Sequence, residues 1–235
     1  MTDKQSVDQI TKEPPNYAEV EEEFTQKVVL GAPANDPDAT LAFIDAWCAD
    51  GKFMMHVGDV KGKILTEAVK ARAPETVVEF GLFMGYSAIR IAREASVKKL
   101  YSLDIDEGRA EKARRIIAHA GLADKIEARV GPKGAEGLIA DLAKDLGKPA
   151  DLIFIDHVKH RYHLDLQIAE QAGLVGPGTT VVADNIIYPG APDYMDYVRS
   201  RPDIYDTELI TSELEYTPDV EDAVAISKCK ADPKQ

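Results

Sequence analysis

Thr76-Val77-Val78-Glu79-Phe80-Gly81-Leu82-Phe83-Met84-Gly85-Tyr86-Ser87 reads as a buried strand, a glycine-marked bend and the first turn of a helix. Val77, Val78 and Phe80 make an apolar run of strand length, and glycines mark the place where backbone must turn sharply or approach a ligand closely. The same alternation continues downstream. A helix over 86–95 leads to a strand over 100–105, and a helix over 108–120 to a strand over 126–130. A helix over 134–146 then leads to a strand over 152–155, and a helix over 162–172 to a strand over 179–183. Strands separated by helices predict an α/β, doubly wound, parallel sheet with right-handed crossovers. The runs 205–211 and 223–228 have no long helix between them and predict an antiparallel pair on one edge. The expected sheet is therefore seven-stranded and mostly parallel, with extra N-terminal helices over 17–30, 36–51 and 61–72. Pro37, directly after Asp36, marks the start of the second of these.

The first sixteen residues are polar and contain Pro14-Pro15, and residues 1–18 are expected to form a disordered tail ahead of a single domain over 19–235. At 235 residues, 45% hydrophobic and 29% charged, the chain can build one large core without disulfides. Net charge is −13, and eight acids with no Lys or Arg fall between Asp203 and Asp222. Such a surface repels phosphate backbones, so no nucleic-acid partner is expected. The two cysteines, Cys48 and Cys229, fit free thiols in a reducing compartment. No run reaches the roughly 18 apolar residues that a membrane span requires, so no membrane association and a cytoplasmic location are expected. Oligomeric state is left open.

Two strand ends carry the chemistry. Ile155-Asp156-His157-Val158-Lys159 and Ala183-Asp184-Asn185 each begin where an apolar run surfaces, at the carboxyl edge where open parallel sheets bind ligands. Asp156, Asp184 and Asn185 offer three hard oxygen donors, which suits Mg²⁺, a cation that keeps positions open for water or substrate. Lys159 lies three residues beyond the first carboxylate, within reach of the metal's charge. The plainer alternatives are a cap at Asp156, a turn at Asp184-Asn185 and a solvated lysine. The glycine bend has the spacing G-x-x-x-G rather than the G-x-G-x-x-G of dinucleotide sites, with Glu79 two residues before it. This favours a cationic ligand without phosphates over NAD. Asp104, ending the next strand, is placed to hold ribose hydroxyls.

With these motifs in view, the chain resembles the catechol O-methyltransferases, a branch of the class I S-adenosylmethionine-dependent methyltransferases with a Rossmann-like fold. The resemblance runs from about Glu19 to Lys228. It rests on Met54-Met55-His56-Val57-Gly58-Asp59-Val60-Lys61-Gly62-Lys63, the glycine bend, Asp156 to Lys159, Asp184-Asn185, Pro189 to Asp193, and Leu214-Glu215-Tyr216. It implies Mg²⁺ on Asp156, Asp184 and Asn185, with Lys159 as general base and Glu215 holding the second hydroxyl of a small-molecule catechol. It implies S-adenosylmethionine against Glu79, Gly81, Phe83, Gly85 and Ser87, with Asp104 on its ribose. Met55, Val57, Ile105, Gly131, Lys133, Asp156 and His157 would be further contacts. Gly131 to Gly134 replaces a turn that carries a serine-glutamine pair in the family. Phe53 and Val158 stand where the family has tryptophans, with Pro189 as the unchanged wall and Asn185 also facing the acceptor. A bulkier ortho-diphenol, such as a phenylpropanoid, is the alternative acceptor.

Overall fold

The computed structural model describes residues 16–52 and 54–234. Three helices come first: α1 (Tyr17–Gly31), α2 (Pro37–Ala49) and α3 (Gly58–Arg72). Alternation follows through β1 (Thr76–Phe80), α4 (Tyr86–Ala92), β2 (Lys99–Asp104), α5 (Glu107–His119), β3 (Ile126–Val130), α6 (Ala135–Leu146) and β4 (Leu152–Ile155). A short 3₁₀ turn, Lys159–Arg161, leads into α7 (Tyr162–Ala172), then β5 (Thr180–Ala183), α8 (Pro192–Arg199), β6 (Tyr205–Leu214) and β7 (Thr217–Cys229). The seven strands lie in the order β3-β2-β1-β4-β5-β7-β6, with the first five parallel and β7 antiparallel to both β5 and β6.

Side-chain alternation along each strand divides the core between the two faces of the sheet. Val77, Leu100, Phe154 and Val182 pack with Phe24, Ile44, Leu65, Ile89 and Ile116 of α1–α5. Val78, Ile153, Ile155 and Val181 pack on the other face with Ile139, Leu166 and Val198 of α6–α8. Each of these side chains is 0–1% exposed, and truncating one such to alanine typically costs about 2–5 kcal/mol. α2 is started by Asp36, whose carboxylate accepts from the Ala39 amide at 2.9 Å, with Pro37 at the first helical position.

Helix α1 starts at Tyr17, as its sequence pattern indicated. Tyr17 is the first residue of α1 and only 5% exposed; its ring stacks on Phe83 and its hydroxyl accepts from the Met55 amide at 3.4 Å. Residues 1–15 lie outside the described residues. α3 starts at Gly58 rather than 61, α4 stops at Ala92 rather than 95, and the edge hairpin runs to Leu214 and back from Thr217. α8 is an element that the alternation did not signal. Among the described residues no helix is long and apolar enough to cross a membrane.

Candidate active site

β4 and β5 pair in register at Ile155 and Ala183, so Asp156 and Asp184 leave neighbouring strand ends side by side. Asn185 follows at φ 55°, a left-handed conformation that asparagine tolerates better than most residues. Gly81 sits across from them at φ 101°, where a Cβ would stand 2.6 Å from the Asp156 carbonyl oxygen. The bend after β1 can therefore lie against the end of β4 only as glycine.

Lys159 reaches back over the strand end, its Nζ donating to Asp156 Oδ1 at 2.9 Å and to the Tyr162 hydroxyl at 2.7 Å. On the opposite side, α3 supplies a lysine that is fully buried. Lys61 Nζ lies 3.0 Å from Asp184 Oδ2, 2.7 Å from Glu215 Oε2 and 2.7 Å from Asp222 Oδ2. Burial alone would lower its pKa, but the carboxylates of Asp184, Glu215 and Asp222 reverse that and hold the ammonium charged. Glu215 reaches this lysine because Gly58, at φ 68°, has no Cβ; one there would come within 2.6 Å of the Glu215 Cβ.

Asp184 tests whether the set would suit a cation. It is 1% exposed, and neither carboxylate oxygen has a hydrogen-bond partner; Lys61 attracts one of them without a directed bond. Burial drives its carboxyl pKa up; Lys61 pulls it back, and Asp156 and Glu215 push it up again. A buried carboxylate that remains destabilised beside a lysine lacks positive charge, and a divalent ion would supply it. Among the described residues no three His, Cys, Asp or Glu side chains form a metal cage. The candidate donors are instead two carboxylates and an amide oxygen, a set compatible with Mg²⁺.

These groups open onto a cavity of about 640 Å³, a typical size for a small-ligand site. Of the residues singled out in the sequence, Met55, Gly81, Phe83, Asp104, Ile105 and His157 line it. Asp156, Val158, Lys159, Asn185, Pro189 and Glu215 line it as well. Asp184 lies buried behind the wall. Val57, Glu79, Gly85 and Ser87 are buried and, like Gly131 and the exposed Lys133, do not line the cavity. Phe53 lies outside the described residues.

Two acids take positions that spacing alone did not indicate. The Asp104 carboxylate accepts four backbone amides: Leu82 at 2.7 Å and Phe83 at 3.0 Å on Oδ2, with Ile105 at 2.7 Å and Asp106 at 3.0 Å on Oδ1. It therefore pins the glycine bend, and a ribose would share oxygens already engaged. Glu79 is completely buried on the sheet face toward α1–α5, where the Ser87 and Ser102 hydroxyls donate to it. Burial pushes its carboxyl up to about 8, against the pull of those two hydrogen bonds.

His56, Arg109, Tyr188 and Leu214 also line the cavity and were not singled out as ligand contacts. His56 is almost fully buried, and its Nε2 lies 2.9 Å from the Tyr216 hydroxyl, which donates to Asp45 at 2.8 Å. Burial, with Arg90 and Lys61 nearby, pushes its pKa down to about 3, so the ring is neutral and Nε2 carries the donated proton. Arg109 turns its guanidinium toward the Phe83 ring while Nε donates to Glu21 at 2.7 Å. Only tertiary packing reveals these roles, since His56 and Arg109 have ordinary neighbours in sequence.

Comparison with known proteins agrees with the fold. The family model described as O-methyltransferase matches residues 43–209. The chain is 35% identical over 199 residues to catechol O-methyltransferase of Bos taurus, covering 84% of this chain and 72% of that protein. It is 38% identical over 205 residues to a Mycobacterium tuberculosis protein named as a probable O-methyltransferase, covering 86% and 88%. Among solved structures, the O-methyltransferase TomG of Streptomyces achromogenes, involved in tomaymycin synthesis and in complex with SAM, shares the fold. Its TM-score is 0.69 at 22% identity, covering 91% of this chain and 96% of that one.

Proposed function

The chain belongs to the O-methyltransferase family, and on that footing we propose that it moves the methyl group of S-adenosylmethionine to one hydroxyl of a catechol, with Mg²⁺ as the required cation. The observation that carries the proposal is the convergence of Asp156, Asn185, Lys159 and Glu215 on one cavity, backed by the buried Asp184. Two vicinal hydroxyls match this arrangement: one faces the base, the other the carboxylate. The name of the bovine relative supports the same acceptor class.

Asp156, Asp184 and Asn185 would hold the cation, which when bound supplies Lewis acidity that lowers the pKa of a nearby hydroxyl. The protein's own groups do the rest. Lys159, fixed by Asp156 and Tyr162, is the group placed to take the phenolic proton. The freed oxygen forms the new C–O bond as the methyl–sulfur bond breaks and the thioether leaves. Glu215, steadied by Lys61, accepts from the hydroxyl that is not methylated. The bend pinned by Asp104, with Phe83 and Met55, walls the donor side, so that orientation supplies much of the acceleration.

A bulkier ortho-diphenol is favoured by a specific feature of the mouth. Val158 is 55% exposed and Ile187 42% exposed, leaving an apolar rim beside Tyr188 and Pro189 with no large aromatic wall at position 158. Transfer of label from methyl-labelled S-adenosylmethionine to a panel of catechols, phenylpropanoid diphenols and monophenols tests the reading. Labelled diphenols and unlabelled monophenols are expected; equal labelling of monophenols would overturn it.

A further inference from the structure

Asp222 lies midway along β7, opposite Ser212 of β6, and is 0% exposed. Nothing in the reaction proposed above requires it, yet its carboxylate is fully engaged. Oδ1 accepts the backbone amides of Ile187 at 3.1 Å and Tyr188 at 3.0 Å. Oδ2 accepts the side-chain amide Nδ2 of Asn185 at 3.0 Å and Lys61 Nζ at 2.7 Å. Both oxygens of Asp222 are met by donors, and the group of Asn185 that meets Oδ2 is the NH₂. The amide oxygen of Asn185 is then turned away from Asp222, toward the cavity that Asn185 lines.

We propose that Asp222 is a positioning residue that selects which end of the Asn185 amide faces the cation site, fixing it as an oxygen ligand. The inference rests on the Mg²⁺ reading of that site and deepens it. An unrestrained asparagine could present oxygen or nitrogen with similar ease. Only the oxygen suits a hard cation, and a misplaced NH₂ would repel it. Lys61 completes the frame. It balances Asp222 while touching Asp184 and Glu215, so one ammonium ties the Asn185 support, a second candidate ligand and the acceptor-side carboxylate together. Partners of this kind, one shell out from a metal, orient the ligands they touch, and losing one typically costs about 10–100-fold in metal affinity.

The isosteric change Asp222→Asn has a defined consequence. Two backbone amides point at Oδ1 and cannot turn, so the oxygen of the new amide stays with Ile187 and Tyr188. Its NH₂ then faces Asn185 Nδ2 and Lys61, donor against donor. The Asn185 amide must flip, bringing its NH₂ to the cavity. Reversing the pair as N185D/D222N repairs the contact, because the NH₂ at 222 donates to the carboxylate at 185, whose second oxygen faces the cavity.

The test is calorimetric titration of Mg²⁺ into the full chain loaded with S-adenosylhomocysteine, for wild type, D222N and N185D/D222N. S-adenosylhomocysteine affinity and thermal midpoints are measured alongside. D222N should raise the Mg²⁺ dissociation constant about 10–100-fold, with S-adenosylhomocysteine affinity within about twofold of wild type, and the reversed pair should recover at least tenfold of that loss. Wild-type Mg²⁺ affinity in D222N, or a lowered midpoint as its only change, overturns the assignment while leaving the metal reading standing. No Mg²⁺ binding by wild type overturns both. If D222N alone fails to fold, Mg²⁺ binding by the reversed pair within about tenfold of wild type still supports the assignment. A folded reversed pair that does not bind Mg²⁺ overturns it, as does failure of both variants to fold, which makes Asp222 a residue of the fold alone.

Discussion

Replacing Glu79 with Gln should flatten the pH dependence of stability over a window that the structure defines. Glu79 is fully buried, and its carboxyl is pushed from an ordinary 4.5 up to about 8 by loss of solvent. Between those values the folded chain keeps the proton and the unfolded chain does not. The contribution is therefore fully present below pH 4.5 and is lost as pH rises through about 8. One proton of difference is worth about 1.4 kcal/mol per pH unit, so the full window carries up to about 5 kcal/mol. Gln keeps the volume and removes the titration, and its amide can accept from one of Ser87 and Ser102 while donating to the other. Urea unfolding from pH 5 to 9 should show wild-type stability falling more steeply than that of E79Q, with the variant gaining on wild type toward pH 8. Other titrating groups, Asp184 among them, contribute to both proteins and cancel in the difference. Parallel profiles for the two proteins would refute the reasoning and place an ionised carboxylate at Glu79.

Two predictions bear on turnover. Lys159→Ala should lower kcat by about 10²-fold or more, the scale of a lost general base, with S-adenosylmethionine affinity near wild type in calorimetry; an unchanged kcat would return Lys159 to a surface role. Val158→Trp should lower KM for a simple catechol with little change in kcat, because a ring wall acts on ground and transition states alike. Aromatic pairing adds about 0.5–1.5 kcal/mol beyond buried area, and an unchanged KM in initial-rate measurements would show that Val158 does not face the acceptor.

What could be read from the chain follows its periodicity. β3, β4 and α7 have the boundaries that their patterns indicated, because Ile126–Val130, Leu152–Ile155 and Tyr162–Ala172 end at clear changes of character. The strand-end residues were legible for the same reason: an acid that follows four buried apolar residues must emerge at the edge. The edge hairpin was underestimated because β6 carries exposed polar residues such as Glu208, Thr211 and Glu213, which read as a solvated acidic run. α8 escaped notice because it is a short helix in a stretch broken by Pro189, Gly190 and Pro192. Lys61 and Asp222 were missed as functional neighbours for a deeper reason. A lone lysine in a helix and an acid in an acidic run ordinarily face water, and only tertiary contact brings them together 161 positions apart. Asp222 did carry a faint signal, since it directly precedes the apolar run from Ala223 to Ile226.

The most direct test is the initial rate of methyl transfer from S-adenosylmethionine to a simple catechol after removal of divalent ions with EDTA, then again after Mg²⁺ is restored, for wild type and Asp184→Ala. Asp184 is the group to change because it is buried, unpartnered by hydrogen bonds and placed at the strand end beside Asp156. Wild type should lose turnover in EDTA and regain it with Mg²⁺, while the variant should stay inactive in both. Full wild-type turnover in EDTA, or a variant as active as wild type, would contradict a cation held at these two strand ends.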